Sequence, residues 1–377
     1  MISLAKVRVF IIFVIFRIII LEETLPMKRY GNLWQRLISY ENLYLAYTKA
    51  RAGRGNLESI KRFEKDVEGN LKKLQQDLIN HNFTTANYNT RIIYEPKKRV
   101  IYILPFFPDR ILQHALMNVI APIFHKTFIK DTYACIPNRG LHAGLVRANG
   151  YAQRNKYCLK MDIKKFYPSI NHQVLYNLIE RKIKDKDVLW LIKDIIYSFE
   201  GETNCPIGNL TSQWFGNIYL TQLDYFIKQE LKAKDYIRYC DDFLVFSNDK
   251  KQLRDFAKRI EEFLDTKLHL MMSKCDLFHV SRGVDFLGYR YFKGYILLRK
   301  RTARGIIRRL KKLYSEYDKG HIHPEKMLSH LSSVEGYTRW ANSYNFRQRI
   351  NLEARIREVK RCFKITQSIA NLKMTSS

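Results

Sequence analysis

The residues best placed to do chemistry are Asp241 and Asp242 in Tyr239-Cys240-Asp241-Asp242, set between Tyr236-Ile237-Arg238-Tyr239 and Phe243-Leu244-Val245-Phe246. β-Branched and aromatic residues flanking two acids that suit a tight turn predict a β-hairpin with carboxylates at its tip. Adjacent anions repel unless a cation sits between them and a third ligand, and oxygen ligands of this hardness point to Mg²⁺. Asp162 is the candidate third ligand: it ends the alternating apolar run Tyr157-Cys158-Leu159-Lys160-Met161-Asp162-Ile163. Brought beside the Asp-Asp hairpin, it would complete a trio able to hold two divalent ions for in-line phosphoryl displacement. Each stretch alone reads equally as an ordinary turn or strand end; their combination on a very basic chain favours the metal site.

The chain has 377 residues, enough for two or three subdomains. Its 66 Lys and Arg against 36 acids give a net charge of +30, which calls for a polyanionic partner, and a 13% aromatic content offers faces for base stacking. The positive residues run through the whole length instead of lining one amphipathic helix, so nucleic acid is favoured and no stable membrane partner is expected. The six cysteines, at 135, 158, 205, 240, 275 and 362, show no paired spacing. That pattern excludes a zinc motif and a disulfide framework and suits a reducing cytoplasm, with Cys158 and Cys240 expected to be small buried residues.

Residues 1–26 form an apolar extension interrupted by Arg17. The run falls short of the roughly 18 residues that span a membrane. With no small-residue cleavage site after it, the segment is read as lying outside the fold, with Met27 as the expected start and a membrane anchor as the alternative. Leu57, Ile60, Phe63, Val67, Leu71, Leu74 and Leu78 predict one long packing helix over 56–78. Arg91–Tyr94 and Val100–Leu104 read as strands joined through a turn with Lys97, Lys98 and Arg99, which could close over a triphosphate or simply be solvated. Pro108 and Asp109 open a helix, with Asp109 as N-cap and Arg110 on its first turn. His142 has no metal-spaced partner and is read as a backbone or nucleic-acid contact. In the stretch 206–217, Gly208 and Asn209 mark a turn before a helix, where small residues would let a nucleotide or template approach the backbone. Further on, Arg301, Arg304, Arg308 and Lys312 share a helix face in an acid-free basic segment, a stripe suited to a phosphate backbone. The remainder reads as a small helical domain.

Taken in order, these stretches resemble reverse transcriptases, from about Met27 to near the C-terminus: the basic hairpin, LKMDIKKFYPSI, IGNLTSQ, YCDD, Lys274 and FLGY. The resemblance implies an α+β right-hand polymerase. Its parts would be an N-terminal region and helical and β-hairpin fingers at 27–155, an antiparallel-sheet palm at 156–297 with a fingers insertion at about 170–225, and a basic α-helical thumb at 298–377. It implies two Mg²⁺ ions held by Asp162 and Asp241, with Asp242 assisting and the Ile163 carbonyl completing one shell. Lys274 looks like the lysine proposed to protonate departing pyrophosphate. Lys98 and Arg99 would meet the incoming dNTP, Phe286, Leu287, Gly288 and Tyr289 would grip the primer end, and Arg110, Arg301, Arg304 and Arg308 would contact primer or template. Tyr167 occupies the steric-gate position that excludes a ribose 2′-hydroxyl, with Phe166 the competing candidate and a core role open to either.

Most bacterial reverse transcriptases, including those of retrons and group II introns, carry Gln before the Gly of the IGNLTSQ segment and commonly Pro after its Ser. Ile207 and Gln213 stand there instead, which resembles the enzymes of diversity-generating retroelements. Those copy a template-repeat RNA into cDNA, with errors opposite adenine, alongside a small basic accessory variability protein. An apolar Ile207 would remove a polar check on pairing. The alternatives are a retron, intron or phage-defence reverse transcriptase, and a non-enzymatic RNA-binding scaffold, against which the intact Asp162, Asp241 and Asp242 speak. No RNase H segment with spaced carboxylates is read in the sequence, so template removal is expected to fall to other proteins.

Overall fold

The computed structural model of the chain describes residues 28–94 and 98–375, with side chains described as far as Ile365. The extension 1–26, the expected start Met27 and Lys97 lie outside the described residues. Among the described residues no helix is long and apolar enough to cross a membrane.

Two compact units form: one runs up to Thr127 and resumes for Tyr167–Tyr219, and the other takes Phe128–Phe166 and Leu220 onward. This division departs from boundaries expected at 155/156 and 297/298. Residues 128–155 belong with the acid-bearing strands, because the helix Leu141–Arg154 buries Leu145, Ala148, Tyr151 and Ala152 in the same core as Ile237, Leu244 and Phe246. The basic helical segment belongs to that unit too.

In the first unit, strands β1 (Asn89–Ile93) and β2 (Arg99–Ile103) pair antiparallel. The single helix expected over 56–78 is instead two, Glu58–Phe63 and Val67–Ile79, separated by a tight turn. The cause is local: Asp66 leaves the helical region and its side chain accepts from the Gly69 amide, starting a new helix. Ile60, Phe63, Leu71, Leu74 and Leu78 are still buried as one apolar stripe. Asp109 does not cap the helix Ile111–His125; it is buried and accepts at 3.0 Å from the Ala86 amide.

The second unit is built on a four-stranded antiparallel sheet in the order β4-β5-β3-β6, from β3 (Tyr157–Ile163), β4 (Asp235–Tyr239), β5 (Asp242–Ser247) and β6 (Met272–His279). β3 is central, and Cys158, Leu159, Met161 and Ile163 are buried, as both faces of a covered strand must be. The helix Lys250–Leu268 follows β5. Asp249 caps it, and Leu253, Phe256, Ile260, Leu264 and Leu268 make one buried stripe at helical spacing. A second sheet is the meander β7 (Val284–Phe286), β8 (Tyr289–Phe292) and β9 (Tyr295–Leu298). The helices Lys300–Asp318, Pro324–Thr338 and Leu352–Thr375 then enclose their own core, including Ile306, Leu310, Met327, Leu331 and Val359.

Candidate active site

The β4–β5 hairpin is closed by the pair Tyr239 and Asp242, so Cys240 and Asp241 form its two-residue turn and Asp242 opens β5. On the other side of β5, Asp242 is the direct cross-strand partner of Asp162 at the end of β3. Directly opposed residues of antiparallel strands carry Cβ atoms about 4.5–5.5 Å apart, so the two carboxylates share one small space. Asp162 in turn opposes Lys274 on β6. All four predicted catalytic side chains thus arise within one patch at the end of one sheet.

Between Asp162 and Ile163 the β3–β6 register slips, leaving Ser273 as an extra residue on β6. Such bulges re-aim side chains beside functional sites. Here the Ser273 hydroxyl donates to the Asp162 carboxylate at 2.6 Å and to its carbonyl at 3.1 Å. Ile163 itself is buried. On the opposite side, Lys160 reaches Asp242 Oδ2 at 3.3 Å and also donates to the Asp285 carbonyl. Asp242 Oδ1 is buried with no hydrogen-bond partner. Burial pushes the Asp242 carboxyl up to about 6, Lys160 pulls it down, and the charges of Asp162 and Asp241 raise it further. Lys274 makes an ion pair at 2.8 Å with Asp276, which, with Asp285 and Asp242, holds its proton more tightly than usual.

Among the described residues no three His, Cys, Asp or Glu side chains form a preformed metal-ligand set; Asp162 is turned onto Ser273 and Asp242 onto Lys160. Even so, an unsatisfied buried carboxylate oxygen facing a second carboxylate is the donor chemistry a divalent cation satisfies.

Beneath the turn lies a group that sequence reading missed. Arg238 and Asp224, both with fully buried side chains, pair at 2.6 Å, and Tyr236 and Thr132 complete the hydrogen bonding of Asp224 at 2.7 and 3.0 Å. Burial works against the Arg238 charge, and the Asp224 carboxylate more than offsets it. The guanidinium also donates to the Cys240 carbonyl at 3.1 Å, tying the turn to the ion pair. Lys160 was missed as well, although a signal existed: two residues before Asp162 on a strand, it must share that residue's face.

The remaining candidates divide by unit. The ring of Phe286 and that of Tyr289 are fully buried, with the Tyr289 hydroxyl donating to the Tyr337 carbonyl at 2.8 Å, so what they can offer a primer is the Leu287–Gly288 turn they close. Arg301, Arg304 and Arg308 are exposed, as are Arg309, Lys311 and Lys312, while Ile306 and Leu310 of the same helix are buried. His142 stacks on Trp340 with ring centroids 4.7 Å apart.

In the first unit Lys98 and Arg99 are exposed, the latter opening β2. The Ile207 carbonyl accepts from the Tyr102 amide at 2.7 Å, which ties the IGNLTSQ segment to β2, and Gln213 is exposed. Gly208, at φ 131°, lies so close to the Tyr102 carbonyl that a Cβ would meet it at 2.1 Å. The close approach that this glycine permits is therefore to the chain's own strand. Tyr167 is half-buried, with its carbonyl accepting from the Cys205 amide at 2.8 Å, while its chain neighbour Phe166, which belongs to the second unit, is buried. The Arg110 Nε is buried without a partner, and burial followed by the charge of Arg54 weakens its hold on its proton. His114 is pushed down to about 4 by burial and then by Arg110, Lys49 and Arg54. This cationic cluster surrounds a residue that sequence reading singled out alone.

The sequence model of the family described as reverse transcriptase (RNA-dependent DNA polymerase) matches residues 89–291, more than half of the chain. The chain belongs to the reverse transcriptase family. Its mixed helix and antiparallel-sheet architecture accords with that membership. Among curated relatives, the retron Ec73 reverse transcriptase of Escherichia coli is 30% identical over 211 residues, 51% of this chain and 61% of the relative. Protein YkfC of Escherichia coli (strain K12) is 25% identical over 252 residues, 54% of this chain and 65% of the relative. The group II intron-encoded protein LtrA of Lactococcus lactis subsp. cremoris is 24% identical over 326 residues, 67% of this chain and 54% of the relative. The reverse transcriptase chain thus spans between half and two thirds of the length of these relatives.

Proposed function

We propose that the chain is an RNA-directed DNA polymerase extending a DNA or RNA primer with dNTPs along an RNA template. The observation that carries this reading is the direct opposition of Asp162 and Asp242 across β3 and β5, with Asp241 in the adjoining turn, in a chain of this family. Asp162, Asp241 and Asp242, with the Ile163 carbonyl, would hold two Mg²⁺ ions, which supply activation of the primer hydroxyl and neutralisation of the leaving pyrophosphate. Lys160 keeps Asp242 more acidic than burial alone would leave it, and Ser273 aims Asp162. Lys274 stands across from Asp162 as proton donor to the leaving group. In this reading the second unit supplies palm and thumb and the first the fingers. Lys98, Arg99 and Arg110 meet phosphate, Tyr167, whose neighbour Phe166 is buried, screens the sugar, and Arg301, Arg304 and Arg308 follow the duplex backbone. The chain would work in the cytoplasm. Primer extension on an RNA template tests the activity, with Asp241→Asn as control; equal extension by both proteins removes the assignment.

Within the family, we place the chain with the error-prone enzymes of diversity-generating retroelements, partnered by a small basic accessory protein. Ile207 and Gln213 support this. Ile207 is bound through its backbone to β2, the strand that carries Arg99, so an apolar residue here sits on the element that would close over the nucleotide. The relatives favour a second reading, a retron or intron enzyme. Sequencing cDNA made with the accessory protein separates the two: misincorporation concentrated at template adenines supports the first, and uniform fidelity across the four bases supports the second.

A further inference from the structure

The meander β7-β8-β9 has two unlike faces, and its register fixes which residues each carries. Val284, Phe286, Tyr289 and Tyr291 are buried in the core shared with Leu145 and Ala148 of the helix Leu141–Arg154. Ile296 and Leu298, the cross-strand partners of Tyr291 and Tyr289, pack against that same core. The alternation that sends these residues inward sends Asp285, Arg290, Phe292, Tyr295 and Leu297 outward. On the outer face Tyr295 is 44% and Leu297 39% exposed, an aromatic ring and a leucine left open to water.

This face is also held in place. Phe292 and Tyr295 are cross-strand partners whose rings stack with centroids 4.8 Å apart and planes 14° from parallel, and the Arg290 guanidinium lies 5.4 Å over the Phe292 ring. Gln153 clamps the turn between the two strands, donating to the Phe292 carbonyl at 2.9 Å and accepting from the Gly294 amide at 2.9 Å. Asn342 closes the outer edge of β9: its amide donates to the Ile296 carbonyl at 2.7 Å, and its side-chain oxygen accepts from the Ile296 amide at 2.9 Å. A partner is therefore barred from adding a strand at Ile296 and must lie on the face.

The surrounding charge says what kind of partner fits. Six Lys and Arg stand between Ser281 and Arg301 against one acid, Asp285, and Arg299 pairs with that acid. Arg290 and Lys293 are exposed on the hairpin that carries the two rings. A second copy of so basic a chain would set like charge against like. The complement is a polyanion bearing flat apolar groups, and an unpaired nucleic-acid strand is one: each base offers a π-face to an aromatic ring, and each phosphate a charge to Arg or Lys. A duplex keeps its bases stacked on one another and would offer this face phosphates alone.

We propose that the outer face of the β7-β8-β9 meander binds an unpaired nucleic-acid strand, with a base stacked on the Tyr295 ring and adjoining phosphates held by Arg290 and Lys293. It engages bases, where Arg301, Arg304 and Arg308 would meet phosphate. It makes no use of the acidic turn, so it stands apart from the polymerase reading.

The test measures binding of labelled strands of about 12 nucleotides to the full chain by fluorescence anisotropy, with divalent ions chelated. Tyr295→Ala is expected to weaken single-stranded RNA about tenfold, and Tyr295→Phe, which keeps the ring, to stay within about twofold of wild type. A duplex and an abasic strand of the same length should bind wild type and Tyr295→Ala alike. Lys293→Ala should lower the slope of log affinity against log salt by about one, and Tyr295→Ala should leave it unchanged. Single-stranded RNA and DNA of one sequence are compared; a loss with either supports the site, and the tighter of the two names its occupant. Wild-type affinity in Tyr295→Ala, an equal loss in Tyr295→Phe, or an equal loss with the abasic strand overturns the proposal. So does a dimer of the chain that Tyr295→Ala dissolves, since the face would then belong to a second copy. Should Tyr295→Ala unfold, photocross-linking of 4-thiouridine RNA to the wild-type chain decides: cross-links at Phe292 or Tyr295 support the site, and cross-links confined elsewhere overturn it.

Discussion

The β4–β5 and β7–β8 hairpins of the second unit are turned by one device and put to opposite uses. Each has a two-residue turn whose first residue is held at positive φ without being glycine: Cys240 at 55° and Leu287 at 53°. An L-residue in that region costs about 1–2 kcal/mol, so something in each hairpin must hold it there. Under Cys240 it is polar: the buried Asp224–Arg238 pair reaches up to the turn carbonyl. Under Leu287 it is apolar: Phe286 and Tyr289 are fully buried, and Gly288, at φ 86°, lets the Tyr337 hydroxyl come close. A polar foundation leaves carboxylates at the surface of the first hairpin. An aromatic foundation spends the second on packing.

The most severe way to test this contrast is to remove the charge from the first turn alone. Asp241→Asn is expected to lower primer extension by about 10³-fold or more, the scale of losing a charge-stabilising group, with the circular dichroism spectrum unchanged. A comparable loss from Leu287→Ala would erase the distinction between the hairpins.

Next in size is the polar foundation. Arg238→Met strands a fully buried Asp224 carboxylate and should cost about 3–5 kcal/mol in urea denaturation. Adding Asp224→Asn should recover much of that loss, because the stranded charge is gone. If the double variant is as unstable as the single one, the pair is not what supports the turn.

Smaller still is the aromatic foundation. A Cβ at Gly288 would meet the Tyr337 hydroxyl at 2.1 Å. Gly288→Ala should therefore cost about 1–3 kcal/mol in thermal unfolding, and Tyr337→Phe should relieve part of it by removing the colliding oxygen. A cost unchanged by that second substitution would assign the loss to backbone strain alone.

The smallest effect is in the pH dependence. Asp242 titrates at about 6 in the fold against an ordinary 3.8, through burial first and then the neighbouring acids. With divalent ions chelated, the folded chain takes up a proton between those values that the unfolded chain does not, so this residue's contribution to stability grows as pH falls through the window and is lost as pH rises through about 6. Asp242→Asn should be the more stable protein above the window, by about 0.5–1 kcal/mol at so partly exposed a group, with the gap closing below it. A gap that does not change with pH would mean that the carboxylate is not held in the way described.

Much of the candidate site could be read in advance because strand pairing is strongly encoded. The alternation in 157–163 and the apolar runs around Asp241 and Asp242 allow one register that buries their hydrophobic residues, and that register opposes Asp162 to Asp242. The basic helix was legible for the same reason, since Ile306 and Leu310 fix which face is buried and leave the arginines out. Other expectations failed where a local polar competitor intervened. Asp66 restarted a helix that periodicity ran straight through, and Asp109 bonded Ala86 instead of capping its own helix. Periodicity measures where apolar side chains want to go and carries no information about which amide a carboxylate will choose.

By itself, then, the sequence determined which acids lie at strand ends and which helix face carries the arginines, because both follow from burying apolar residues at a fixed period. Only the tertiary structure decided that Asp224 lies beneath Arg238, that Lys160 touches Asp242, and that Thr132 bridges to Arg238. Those partners come from separate segments, and their meeting depends on how whole elements stack, a choice made by the sum of the core and not by any one stretch of chain.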